Sequence, residues 1–234
     1  MVVHLKNQEE FDQLIKAVKQ HARDDFSIYS FLDGRKTPNF TNHLELIDYG
    51  GHRYLVKTSK FFSDFLYNLK SVADFTRGKE AAFLWNGNRQ QYEAGVIDEL
   101  TANGVNVPKR VFTGETGVLV LEYHEGEETK LVLRDDARYL STLQILSTEL
   151  GKIHQIGLHG EPSTNNTFIS NGHSYWIDFE RFSRNVTNAR KVREVVTFIR
   201  SASKHSYRSL ESVAKIVLGV YPNPQVVDLT RKFI

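Results

Sequence analysis

The chain of 234 residues contains no cysteine. That excludes a disulfide scaffold, a thiolate nucleophile and any zinc site with Cys ligands. No run approaches the roughly 20 apolar residues that a membrane span needs. The first residues, Met1-Val2-Val3-His4-Leu5-Lys6, lack the apolar core of a secretory leader. The expectation is an intracellular protein. Charge of one sign is not in excess either: 30 Lys and Arg stand against 28 Asp and Glu, a net +2. Such a balance does not indicate nucleic-acid binding and only permits contact with an acidic ligand or surface. No repeat or low-complexity segment is present. What remains is an ordinary globular composition, 40% hydrophobic and 25% charged, in a length that suits one domain or two small lobes.

The pattern of elements changes along the chain. Asn7-Gln8-Glu9-Glu10 reads as a capping box, opening a helix through Phe11, Leu14, Ile15 and Val18. Phe26–Leu32 has a period of two and reads as a strand, closed by Asp33-Gly34. Asn42–Tyr49 and His52–Thr58 flank Gly50-Gly51, a hairpin signal. Phe61–Gly87 is rich in aromatics and unassigned. A helix is expected from about Arg89 to Ala102, with Tyr92, Val96, Ile97 and Leu100 on one face and Asn103-Gly104 as its stop. Val111–Thr113 and Val118–Tyr123 read as strands. Beyond Glu125-Gly126 the chain turns helical: Arg138–Ile156 places Leu140, Leu143, Leu146, Leu150 and Ile153 along one stripe. Further helices follow Asn188, interrupted near Pro222 and Pro224. Strands with one helix, then helices, predict an α+β protein with two lobes: residues 1–124 as an antiparallel-sheet lobe with an N-terminal helix and one key helix, and residues 125–234 as a helical lobe.

The informative stretch is Ile153-His-Gln-Ile-Gly-Leu-His-Gly-Glu-Pro-Ser-Thr-Asn-Asn-Thr-Phe-Ile169, followed by Tyr175-Trp-Ile-Asp-Phe-Glu180. A hairpin through Asn171-Gly172 would gather Glu161, Asn166 and Asp178 at one end. One carboxylate can handle a proton, while an amide oxygen and a second carboxylate can hold a hard cation. Mg²⁺ is satisfied by few protein oxygens plus phosphate oxygens, and phosphoryl transfer needs these parts.

On these residues the chain resembles the protein-kinase-like superfamily. His159-Gly160-Glu161 followed by Asn166 is similar to the catalytic loop His-x-Asp-x-x-x-x-Asn, and Ile177-Asp178-Phe179-Glu180 is similar to the Asp-Phe-Gly magnesium motif. Small atypical kinases are the nearest in pattern: RIO-type and KEOPS-complex kinases, with His-Gly-Asp-x-x-x-x-Asn, and lipopolysaccharide core sugar (heptose/Kdo) kinases, with Gly-Asp-Pro-x-x-x-Asn. The N-terminal half agrees. Lys57 ends the run Tyr54-Leu-Val-Lys57 like the Lys of Val-Ala-Ile-Lys. Arg89-Gln-Gln-Tyr-Glu-Ala94 leading to Gly104-Val-Asn-Val-Pro108 is similar to Arg-x-x-x-Glu-Ala and Gly-Val-x-x-Pro. Leu121–Gly126 looks like the hinge.

The resemblance implies a two-lobed protein-kinase-like fold and an ATP- and Mg²⁺-dependent kinase. It implies Glu161 as the catalytic carboxylate and Asn166 and Asp178 as metal ligands. Lys57, paired with Glu93, would lie at the phosphates, and Glu122 and His124 at the adenine. His159 would brace the loop rather than act as acid or base. The implied acceptor is a lipopolysaccharide core sugar, with a protein Ser/Thr hydroxyl as alternative and a non-catalytic nucleotide-binding scaffold as a third reading. A choline- or aminoglycoside-type kinase is a weaker fourth. A cytoplasmic location follows, with a peripheral contact to an anionic membrane surface through Arg181, Arg184, Arg190, Lys191 and Arg193; the competing reading of that run is a solvated face. Competing residues are Asn165 for Asn166, Lys60 for Lys57, and Glu80 or Glu99 for Glu93.

The chain departs from the pattern. Glu161 replaces the usual Asp, and a misplacement of about 1 Å costs on the order of 100-fold in rate. Gly34 alone stands where a phosphate-covering loop is glycine-rich, beside Arg35 and Lys36. Ser163 stands where many protein kinases have Lys. No Ala-Pro-Glu motif occurs and a helical pattern resumes near Asn188, so the activation segment is expected to be reduced.

Overall fold

A computed structural model describes residues 42–49, 52–59, 88–114 and 118–234. The expected N-terminal helix, the strand at Phe26–Leu32, the Gly34 loop, the aromatic segment, Lys60 and Glu80 lie outside the described residues.

The chain divides into two compact units. The first takes the described residues up to Asp98 together with Pro108–Tyr123; the second takes Glu99–Val107 and His124–Ile234. The division therefore falls inside a helix and returns the Gly104–Val107 stretch to the second unit.

In the first unit, β1 (Asn42–Tyr49) and β2 (His52–Ser59) pair antiparallel as their alternation predicts. β3 (Arg110–Gly114) and β4 (Val118–Glu122) complete a sheet of order β1-β2-β4-β3. Strand alternation sends Tyr54 and Val56 to one face of β2 and Lys57 to the other; all three are buried. Helix α1 (Asn88–Ala102) begins in this unit.

The second unit carries β5 (Glu127–Glu128), the one-turn α2 (Thr129–Val132) and the long α3 (Asp136–Ile156). Asp135 caps α3, its carboxylate accepting from the Ala137 N–H at 2.9 Å. A 3₁₀ turn at Thr164–Asn166 leads into β6 (Thr167–Ser170), and β7 (His173–Trp176) returns to pair with it. α4 (Asn188–Ser206), α5 (Leu210–Val220) and α6 (Pro224–Thr230) follow. Pro222 and Pro224 act as read from the sequence: one lies between helices, the other starts α6, where its missing N–H costs nothing.

The mixed α+β architecture is the expected one, an antiparallel sheet with one helix followed by a helical part. Two expectations change. Leu140 is exposed, and Tyr139 takes its place on the buried stripe with Leu143, Leu146, Leu150 and Ile153. The buried positions 139, 143, 146, 150 and 153 keep helical spacing, and Leu140, one residue on, falls about 100° round the helix from Tyr139. The strand expected to reach Asp178 stops at Trp176, because Asp178 adopts φ +67°, a left-handed conformation that a strand cannot continue.

Candidate functional site

In the first unit, Lys57 Nζ lies 2.6 Å from Glu93 Oε2, with both side chains almost wholly buried. Lys57 is held in register between Leu44 of β1 and Leu119 of β4, and Glu93 comes from α1. A buried ion pair tolerates desolvation only with such close geometry. Of the competing glutamates, Glu99 instead pairs with Arg184 at 2.6 Å. Glu122 ends β4, and its N–H donates to the Lys109 carbonyl at 2.8 Å.

The second unit gathers the other candidates around His159. Its ring is fully buried, against Trp176 and against Phe179 of the Asp178-Phe179-Glu180 motif, with centroids 5.1 and 4.7 Å away. Burial pushes the imidazole below its ordinary pKa, against the pull of Glu194, Asp178 and Glu161. Its hydrogen bonds fix the tautomer: Nε2–H donates to the Ile177 carbonyl at 3.1 Å, while the Glu161 N–H is aimed at Nδ1 at 3.4 Å. One neutral ring thus ties the residue before Asp178 to the backbone of Glu161.

The hairpin register does the rest. Thr167 faces Trp176, and the Ile177 N–H donates to the Asn166 carbonyl at 3.0 Å. Asn166 and Asp178 therefore stand at the same end of the hairpin. Asn166 Nδ2 donates to the Glu161 carbonyl at 2.9 Å. Because that carbonyl can only accept, the amide is oriented, and its oxygen is the atom that could hold a cation. Asn165 is exposed. Among the described residues no group of three or more His, Cys, Asp or Glu gathers as a metal cluster. The Asn166 oxygen and the Asp178 carboxylate form an all-oxygen pair, a donor set that fits Mg²⁺ sharing its shell with phosphates. The Glu161 carboxylate is half exposed, with Arg181 Nε 3.9 Å away.

Past Asp178 the chain closes at once. Phe182 N–H donates to the Phe179 carbonyl, and Leu158 and Ser183 exchange backbone bonds at 2.8 and 3.0 Å. Gly160 adopts φ +89°, and a Cβ there would come within 2.2 Å of the Arg181 carbonyl oxygen. Glycine is the residue that satisfies both conditions. The reduced segment expected after Asp178 is a turn bonded back onto the Glu161 loop.

Three positions that brace the loop were not read from the sequence. Glu194 of α4 is buried and accepts from the His159 N–H at 2.9 Å, from the Gly160 N–H, and from His154 Nε2 at 2.9 Å. Burial opposes its ionisation, but the His154 bond and the Gly160 N–H, with the His154 and His159 rings close by, hold its pKa below the ordinary range. Further along α4, Ser201 Oγ accepts from the Thr164 N–H at 3.1 Å and His205 Nδ1 meets Thr164 Oγ1 at 2.6 Å. One helix thereby secures the loop at both ends. A signal existed: polar residues at 194, 201 and 205 recur at helical spacing beside Val195, Phe198, Ile199 and Ala202. His124 stacks on Tyr175 at 4.6 Å, and Tyr175 on Phe168 at 5.0 Å, so the expected adenine residue belongs to an aromatic shelf.

No protein-family model matches this chain. The curated protein "KEOPS complex subunit Bud32" of Pyrococcus abyssi is 35% identical over 92 residues, which is 37% of this chain and 41% of that protein. The chain is similar to an atypical kinase. The match spans about two-fifths of that relative's length. Among solved structures, "WaaP in complex with acyl carrier protein" superposes with a TM-score of 0.46 at 12% identity, over 88% of this chain and 95% of that one.

Proposed function

We propose that the chain is an ATP- and Mg²⁺-dependent phosphotransferase acting on a hydroxyl. The carrying observation is the hydrogen-bonded unit formed by Glu161, Asn166 and the Asp178 turn around His159. Lys57, fixed by Glu93, contacts phosphate oxygens. The Asn166 oxygen and Asp178 hold Mg²⁺, which when bound neutralises charge on the transferred phosphoryl group. Glu161 orients the acceptor hydroxyl and takes its proton, with Arg181 restraining the longer side chain. Purine stacks beside His124 on the aromatic shelf, and Glu122 is the other residue proposed for adenine.

The acceptor we favour is a lipopolysaccharide core sugar, on the similarity of the Glu161–Asn166 loop and the Asp178 motif to sugar kinases; a protein Ser/Thr hydroxyl is the alternative. Among the described residues no helix is long and apolar enough to cross a membrane, and we place the chain in the cytoplasm with a peripheral membrane contact. The Glu161–Arg181 approach also favours a second reading, a nucleotide-binding scaffold in which the carboxylate is tied up by its neighbour.

Incubation with γ-labelled ATP and Mg²⁺, with and without extracted lipopolysaccharide, separates these readings. Label in the glycolipid supports the sugar acceptor, and label in protein the alternative. ATP that raises the melting temperature without transfer identifies the scaffold. An Asp178→Asn variant that keeps full transfer refutes the metal assignment.

A further inference from the structure

The loop anchor Glu194 has an outer partner. His154, on α3, presents Nε2 to the Glu194 carboxylate and Nδ1 to the Tyr221 hydroxyl, all three buried. A carboxylate only accepts, so Nε2 carries the proton. In a neutral ring Nδ1 is then a lone pair, and the Tyr221 O–H is its donor. Burial and the nearby Glu194 charge push the Tyr221 phenol above its ordinary pKa, so the donor proton is retained.

The elbow after α5 is keyed to one stripe of α3. Ser147 Oγ donates to the Val217 carbonyl at 2.8 Å. One turn on, a Cβ at Gly151 would meet Pro222 at 2.4 Å, so the absent side chain is the notch that seats the proline. Next along the stripe comes His154 beneath Tyr221. The Ser147 bond adds to the α3–α5 packing, while the proline notch at 151 and the ring at 154 fix where the phenol points.

We propose that Tyr221 is a positioning residue for phosphoryl transfer, its hydroxyl fixing the tautomer and tilt of His154 and thereby aligning Glu194 beneath the backbone of His159 and Gly160. The proposal rests on the phosphotransferase reading above. Without the hydroxyl, the buried Nδ1 loses its donor. The ring then samples the other tautomer, which turns a lone pair toward Glu194, or takes a second proton. Either change loosens the carboxylate that holds the loop bearing Glu161.

The test is Tyr221→Phe in the full chain, with Ser147→Ala as a control that removes a bond from the same helix pair. In Tyr221→Phe, kcat should fall roughly tenfold while KM for ATP stays within about twofold, as for a displacement well below 1 Å. Imidazole nitrogen NMR should show His154 as the Nε2–H form in the wild type and as a mixed or doubly protonated form in the variant. Exchange of the His159 and Gly160 amides should accelerate. Ser147→Ala should lower the melting temperature and leave the His154 spectrum unchanged. An active wild type whose Tyr221→Phe variant keeps its kcat, or its His154 tautomer, overturns the proposal alone. A folded wild type with no transfer at all refutes the phosphotransferase reading first.

Discussion

Replacing Glu194 by Gln removes one charge and almost no volume from the centre of the second unit. The carboxylate receives three donors: two backbone N–H groups of the Glu161 loop and the His154 ring. Hydrogen bonds to a charged group contribute about 1.5–3 kcal/mol each. An amide keeps one oxygen, so part of that survives, but its NH₂ now confronts a donor. Losing one of these bonds outright and weakening the other two to neutral strength should cost about 3–5 kcal/mol in all. In a chain of this size that lowers the melting temperature by roughly 6–20 °C. The pH dependence carries a second signature. Glu194 ionises more readily folded than unfolded, so its contribution is fully present above the ordinary carboxylate pKa and is lost as pH falls through its lower folded value. Calorimetric melts of both proteins should differ most at pH 6–8 and converge below about pH 4. A Glu194→Gln variant that melts with the wild type at pH 7 would refute the argument, and a gap that stays constant to pH 3 would refute the ionisation part.

Lys57→Met strands the Glu93 carboxylate in a buried site; urea unfolding should show a loss of about 3–5 kcal/mol, and transfer from ATP should fall by roughly 10²–10³. Glu93→Gln in the same background should recover part of the stability and none of the transfer. Gly160→Ala must adopt a left-handed conformation, at about 1–2 kcal/mol, and displace the Arg181 backbone. Its amide bond to Glu194 should weaken, seen as faster exchange at Gly160, and unchanged exchange there counts against the close approach.

The sequence made the strand pairs visible because alternation and a Gly-Gly turn are local signals. Lys57 and Glu93 were readable as candidates only through the resemblance of their stretches to kinase motifs, since nothing local tells Glu93 from Glu99. The candidate loop was legible from its place in the chain as well: Asn166 and Asp178 flank one short hairpin, where register decides neighbours, and Glu161 is five residues before Asn166. Glu194 was not legible. It lies 33 residues beyond Glu161, and a polar residue inside an apolar helix face gives no hint of which backbone will meet it. Leu140 was misplaced because the apolar stripe begins with an aromatic, whose hydroxyl makes it look like a surface residue. Asp178 was assigned to a strand because hydrophobic patterning cannot register a positive φ.

The Asp178 turn also bears on how such a protein could be controlled. Both sides of Asp178 are tied down: Ile177 through its N–H and its carbonyl, and the residues beyond it through the Leu158–Ser183 bridge. A carboxylate held this way, proposed above as a metal ligand, cannot swing aside without breaking several bonds together. Its ordering entropy is settled during folding rather than on ligand arrival. On the proposed phosphotransferase reading the turn is therefore a poor place for an on–off device, and control of transfer would fall to abundance or to access of the acceptor.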